Sequence, residues 1–217
     1  MIVTAVERQQ RRRRVNVFVD GRFTLALGAE LAAERDVRPG RSITQGELSA
    51  LVEAEARRSA LDSALRLLSY RPRSEQELRD RLARKTFGRR VIEDTLRRLR
   101  ELGYVDDAAF ARFWTETRQA QRPRSRRLLA VELRWRGVAQ EQAEEATAGI
   151  SDEEAAYQAA SRRLSASGGL RGLEYQRFRE RLGGFLTRRG FSYDVARRTI
   201  ERCWEELSAE PAESSAS

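Results

Sequence analysis

No histidine occurs in the 217 residues, and other residues are scarce: one cysteine, one methionine and four prolines. Without histidine the commonest general base and metal ligand is missing. The lone thiol, Cys203, excludes an internal disulfide and a thiolate zinc site. Beside Ile200 and Trp204 on a helix, it reads as a small buried apolar residue. There is no Walker-type glycine loop and no Gly-x-Ser-x-Gly elbow. Asp106 and Asp107 are adjacent carboxylates, but successive helix residues point about 100° apart. They make a better helix start than a metal pair. These absences argue against an enzyme, and no cofactor or metal is expected. No apolar run of about 18 residues exists, and the N-terminus lacks a signal-peptide pattern. The expectation is a soluble, cytoplasmic chain without membrane contact.

Arginine is what the chain has in excess. The formal net charge is +9 and the isoelectric point is near 10.7. Lys85 is the only lysine. Such a balance points to a polyanion or an acidic protein surface, although an Arg-, Ala- and Leu-rich chain can also reflect coding composition alone. The positive excess is spread along the chain, which suits a long, diffusely basic surface better than one compact DNA-reading site.

The organising stretch is Arg73 to Asp107, RSEQELRDRLARKTFGRRVIEDTLRRLRELGYVDD. Ser74 with Glu77 forms a capping box at a helix start. Leu78 and Leu82 share one face of that helix. After a turn at Thr86-Phe87-Gly88, Val91, Ile92, Leu96 and Leu99 repeat at helical spacing. Gly103 supplies a left-handed residue to close the second helix, with Tyr104 and Val105 folding back on it. Neither helix can bury its stripe alone. Setting Leu129 and Leu133 under Leu78 and Leu82 places Gly137-Val138 under Thr86-Phe87. Leu182 and Leu186 do the same for Gly190-Phe191. Val91 and Ile92 then match Val195 and Ala196, whereas Gln142 and Ala143 make the middle copy the weakest. This spacing implies a tandem array of small helical modules.

A basic N-terminal hairpin followed by RPRSEQEL, LRELGYVDDAAFA and LTRRGFSYDVARRTI resembles the RecX family of bacterial recombinase regulators, over about residues 2 to 207. The resemblance implies a mainly α fold, with three small three-helix, helix-turn-helix-like units in tandem after a short β-hairpin region. It implies a monomer that binds the RecA filament on single-stranded DNA and inhibits ATP hydrolysis and strand exchange. The setting would be recombination, DNA repair and the SOS response. Its implied mechanism is a crescent of units lying in the filament groove, bridging protomers and touching DNA. One departure stands out, because the family usually has Gly where Thr86 stands. A β-branched residue at positive φ is unfavourable, so this turn is expected to close differently, through Gly88.

Taken in order, Ile2–Val6 and Val15–Val19 read as strands. Asp20-Gly21 is a type I′ turn, with Phe23, Leu25 and Leu27 alternating on the return strand. Arg8 to Arg14 joins the first two strands as an exposed basic loop, since its guanidinium groups cannot be buried unpaired. Ala29 to Glu34 is a short helix. Thr44 and Glu47 cap a helix to about Ser69, with Leu48, Leu51, Val52, Leu61, Leu65 and Leu68 on its buried side. Its charged middle, Glu53 to Ser59, would bridge the hairpin to the first module. Asp106 or Asp107 caps the next helix, whose Phe110, Phe113 and Trp114 read as core. QRPRSRR, residues 121–127, is a proline-broken basic connection with Ser125 as a cap. Ser151 with Glu154 opens another helix, to about Leu164. Ser165 to Gly172 is expected to be the most flexible part of the folded region. The boundaries are 1–43 for the hairpin and short helix, 44–107, 108–150 and 151–207 for the three modules, and 208–217 for a disordered tail.

Candidate partner- and DNA-binding residues are Arg11, Arg12, Arg13 and Arg14 in the basic loop, and Arg122, Arg124, Arg126 and Arg127 in the basic connection. Arg84, Lys85, Arg89, Arg90, Arg97 and Arg98 belong to the first module. Arg188, Arg189, Arg197 and Arg198 occupy matching places in the third. One guanidinium can pair in bidentate fashion with a carboxylate or a phosphate. Equivalent positions in an array face the same way, so the pairs would form a basic stripe, interrupted at Glu144 and Glu145. Two other readings stay open: a helix-turn-helix transcriptional regulator, and a helical scaffold that touches no nucleic acid. Few Asn or Gln side chains are available to read base edges, so phosphate contact is favoured over readout.

Overall fold

The computed structural model describes residues 1–10, 13–166, 170 and 172–209. Among them are three strands and ten helices: β1 (Val3–Arg8), β2 (Arg14–Val19), β3 (Arg22–Gly28), α1 (Ala29–Glu34), α2 (Gln45–Tyr70), α3 (Glu75–Ala83), α4 (Arg89–Glu101), α5 (Asp107–Gln121), α6 (Arg126–Trp135), α7 (Gln140–Thr147), α8 (Asp152–Ala166), α9 (Tyr175–Arg188) and α10 (Tyr193–Ala209). The fold is therefore mainly α, with three three-helix modules after a small antiparallel sheet. The chain divides into two bodies: Met1–Arg71 with Leu78–Tyr104, and Pro72–Glu77 with everything from Val105 onward.

In the first body the strands lie in the order β1-β2-β3. Asp20 and Gly21 both have positive φ, 48° and 79°, as a type I′ turn requires. The strands differ from the sequence reading at three ends. β1 begins at Val3 and runs on to Arg8, and Arg14 belongs to β2 rather than to the loop. The inner face, including Val3, Val17 and Leu27, packs with Leu31, Ile43 and Leu51. Thr44 and Glu47 form a complete capping box at the start of α2. The buried side of α2 is Leu51, Glu55, Ala60, Ser63 and Ala64, and Val52 is 49% exposed. The leucines at 61, 65 and 68 are only half-buried. The helix turns a narrow face inward, and small residues there let α4 approach closely.

Glu55 ties the charged middle of α2 to the sheet. Its carboxylate accepts from the Gly28 amide at 2.8 Å and from the Ser59 hydroxyl at 2.8 Å, and pairs with Arg14 at 2.6 Å. Leu78, Leu82, Leu96 and Leu99 are fully buried.

The second body holds two modules. In α5–α7, Phe110, Ala111, Leu133, Val138 and Ala143 form the core, with Trp114 against it. Phe113, expected in that core, is 36% exposed. In α8–α10 the core is larger and includes Phe178, Leu182, Leu186, Ile200 and Cys203. Ser165 and Ala166 continue α8 and Leu170 is buried, so ordered residues extend into the stretch read as flexible. Residues 167–169 and 171 lie outside the described residues, as do 210–217 of the tail. Ser208 and Ala209, assigned to that tail from sequence, are helical.

Each matched turn has its left-handed residue at the matched position: Thr86 at φ 62°, Gly137 at 83° and Gly190 at 86°. The expectation that the first turn closes through Gly88 is wrong. Gly88 has φ −64° and is the N-cap of α4, while Thr86 itself takes the strained conformation. The reason lies in what surrounds the other two turns. A Cβ on Gly137 would sit 2.2 Å from Gln76 Cβ, and one on Gly190 would sit 2.5 Å from Ser125 Oγ. Glycine there serves both the turn and a close approach, whereas Thr86 is exposed.

Candidate partner-binding surface

The second body uses the same joint twice. Ser74 accepts from the Glu77 amide at 3.1 Å and donates to the Arg136 carbonyl at 2.5 Å, while the Glu75 amide donates to Asp107 at 2.8 Å. At the other joint, Ser125 accepts from the Leu128 amide at 3.2 Å and its own amide donates to the Arg189 carbonyl at 3.0 Å. The Arg126 amide donates to Asp152 at 2.7 Å. In both places a capped helix start docks on the turn of the next module, and an aspartate at that module's first helix takes a free amide. Two orphaned donors are satisfied each time. Asp106 and Asp107 thereby divide their work. Asp106 caps α5, and Asp107 reaches Glu75.

Four exposed arginines of the outer modules sit in ion pairs. Arg97 meets Asp94 at 3.1 Å, Arg98 meets Glu101 at 3.2 Å, and Arg197 meets Glu201 at 3.0 Å. Arg198 reaches Glu153 at 3.5 Å. Such exposed pairs are worth about 0.5 kcal/mol or less, so a partner's anion can displace them cheaply. Arg84, Arg89, Arg90 and Arg188 are exposed as well. Lys85 donates to Ser63 at 3.3 Å. Arg14 is half-buried and committed to Glu55, and Arg13 is exposed. Arg11 and Arg12 lie outside the described residues.

The middle module departs from the others at one matched position. Trp135 stands where the outer modules have Arg84 and Arg188, and it is 80% exposed. The repeat register that aligned the leucines also aligns Trp135 with the arginines, so this residue was within reach of the sequence and was missed. Arg126 and Arg127 open α6 and are exposed. With Arg134, Asp152, Glu153 and Val195 they line a cleft of about 770 Å³.

Several arginines converge on the connection from α5 to α6. Arg162 Nη1 donates to the Ala120 carbonyl at 2.6 Å, and Arg189 Nη1 donates to the Pro123 carbonyl at 2.9 Å. Gln119 ties down the Arg124 carbonyl at 3.0 Å. Glu132 is buried and pairs with Arg124, with Arg118 at 3.4 Å, and accepts from the Trp114 indole at 3.2 Å. The guanidinium groups of Arg118 and Arg136 lie 4.2 and 3.6 Å from the Trp114 ring centroid, within cation–π range. Burial, and then neighbouring guanidinium groups, hold Arg118, Arg124 and Arg189 below the usual arginine value. All remain cations, because guanidinium does not deprotonate in proteins. Arg118 and Arg162 were not singled out from sequence. They sit on α5 and α8, and nothing in their local spacing marks them.

No group of three or more Asp, Glu or Cys residues suited to a metal occurs among the described residues. No helix among them is long and apolar enough to cross a membrane. The molecule defined by these features is a modular helical protein with arginine-rich surfaces, its second and third modules joined helix start to turn. The chain belongs to the RecX family of regulatory proteins. Its four family domains all match: the N-terminal domain at residues 1–44, and the first, second and third three-helix domains at 60–109, 106–146 and 151–200. It is 41% identical to the regulatory protein RecX of Thermobifida fusca over 182 residues, covering 82% of this chain and 91% of that one. It is 36% identical to that of Streptomyces lividans over 145 residues, 65% of this chain and 76% of the other. A crystal structure of regulatory protein RecX aligns with a TM-score of 0.62 over 92% of this chain and 98% of that one, at 21% identity, and so supports the fold.

Proposed function

We propose that this chain binds the RecA recombinase filament on single-stranded DNA and restrains its ATP hydrolysis and strand exchange during recombination and repair. The observation that carries the reading is membership of a regulatory family joined to repeated modules whose exposed helices present arginines. Modular helical arrays make extended surfaces, and arginine suits both the carboxylates of a protein filament and the phosphates of its DNA. The exposed Arg97, Arg98, Arg197 and Arg198 pair with carboxylates, which fits exchangeable contacts better than a fixed base-reading site. The chain acts by binding rather than by chemistry of its own.

The test is a RecA ATPase assay on single-stranded DNA with the purified chain titrated in. A dose-dependent fall in hydrolysis is expected. Unchanged hydrolysis, together with tight binding to one duplex sequence that survives high salt, would favour a transcriptional regulator instead.

A further inference from the structure

The α5–α6 connection carries more positive charge than its structural duties need. α5 ends in orphaned carbonyls, and one guanidinium on the Ala120 carbonyl answers that need as a C-terminal cap. Yet Arg118, Arg122, Arg124, Arg162 and Arg189 all gather there. Ala120 and Pro123, which anchor Arg162 and Arg189, are three residues apart, so the anchors lie within about 11 Å. Arg122 and Arg124 stand on the same short stretch. Each of these groups acts electrostatically on at least one other: Arg189 on Arg124, Arg122 and Arg162, and Arg124 on Arg118 and Arg122. Against five cations the connection sets one buried carboxylate, Glu132. Among the described residues no carboxylate pairs with Arg122 or Arg162.

Like charges brought together repel, and local low dielectric makes the repulsion worse. The cost persists in the fold because backbone carbonyls hold the Arg162 and Arg189 guanidinium groups and Glu132 holds those of Arg118 and Arg124. Each of those contacts leaves other N–H donors of the same group unused, since a guanidinium carries five. The result is four held guanidinium groups beside an exposed Arg122, with a net charge that a polyanion would neutralise.

We propose that this cluster is a phosphate-binding site for the backbone of single-stranded DNA, with Arg122 and Arg162 as its principal contacts. This rests on the reading that the chain touches filament DNA, and it commits that contact to the joint between the second and third modules. Arg122 and Arg162 are both exposed, so both can reach a phosphate while Arg124 and Arg118 stay with Glu132.

The experiment measures binding of the full chain, without RecA, to a fluorescent random-sequence single-stranded oligonucleotide across a salt series. The variants are R122S/R162S, R122K/R162K and, as a control at two exposed arginines outside the candidate binding residues, R38S/R57S. The serine variant should bind about tenfold or more weakly, and its log–log salt slope should fall by about 1.4, for two lost single-strand phosphate contacts. The lysine variant keeps the charge and should retain most of that slope, while the control should match the parent. Circular dichroism melting of each variant separates a lost contact from a lost fold, and R122S alone, expected to lower the slope by about 0.7, supplies the answer if the serine pair does not fold. A parent that fails to bind, or serine and lysine variants that bind like the parent, would overturn the site. Loss of RecA regulation with DNA binding intact would also overturn it and give the cluster to an acidic protein face. DNA binding through the cluster with RecA hydrolysis unaffected would sink the filament reading and leave this one standing.

Discussion

The Ser74 hydroxyl donates to the Arg136 carbonyl at 2.5 Å, 62 residues further along the chain. Its counterpart, Ser125, meets the Arg189 carbonyl through its backbone amide at 3.0 Å. A helix cap thus doubles as a module joint, and the turn that receives it must be glycine. Replacing Gly190 by Ala puts a Cβ 2.5 Å from Ser125 Oγ and 2.7 Å from Leu128 Cβ. The strain of positive φ adds to that clash, so G190A should destabilise the fold by at least ~2 kcal/mol in denaturant titration.

The first turn predicts the opposite sign. Thr86 takes φ 62° at an exposed position. Thr86→Gly should raise stability by ~1 kcal/mol, because left-handed strain in a β-branched residue is relieved at an exposed site. A loss of stability in the same titration would show that the Thr86 side chain supports the turn.

Leu82 and Leu186 are both fully buried at matched positions. Truncating either to Ala should cost ~2–5 kcal/mol, as for other buried leucines. A cost below ~1 kcal/mol at either site would mean that its module can collapse onto the cavity.

Cys203 is 1% exposed and its thiol is pushed up to about 11 by burial. A thiol-exchange reagent at pH 8 should leave it unmodified until denaturant is added. The folded value lies above the ordinary 9.0, so the buried neutral thiol favours folding below about pH 9. That contribution, on the order of 2 kcal/mol, should fade as pH rises from about 9 to about 11. Stability flat across that window would show that the thiol ionises without cost.

Filament contact by the third module is tested best without Arg189, whose guanidinium holds the Pro123 carbonyl and lies 4.5 Å from the Phe185 ring centroid. Arg188, Arg197 and Arg198 are the exposed members. Replacing these three together by Ser should weaken RecA filament binding while the melting temperature stays nearly unchanged, since they hold only exposed pairs. If regulation of RecA is unaltered, the grip lies elsewhere on the chain.

The sequence by itself determined the modular plan. Leucine pairs with helical spacing fix which face of each helix is buried, and that pattern survives wherever helices pack at all. The Asp20-Gly21 hairpin and the caps at Thr44, Ser74 and Ser125 were equally legible, because each is a local hydrogen-bonding or φ requirement written in adjacent residues. The tertiary structure decided what local rules cannot reach. On α2, apolar Val52 is exposed while Glu55 is buried, because Glu55 alone can meet both the Gly28 amide and Arg14. Thr86 keeps a conformation its side chain disfavours, because its module supplies the rest of a turn whose glycine elsewhere is demanded by a neighbouring helix. Arg118, Arg122, Arg124, Arg162 and Arg189 come from three separate stretches of chain, and only folding brings their charges within range of one another. Electrostatic convergence depends on distance in space, and no spacing along a sequence encodes it.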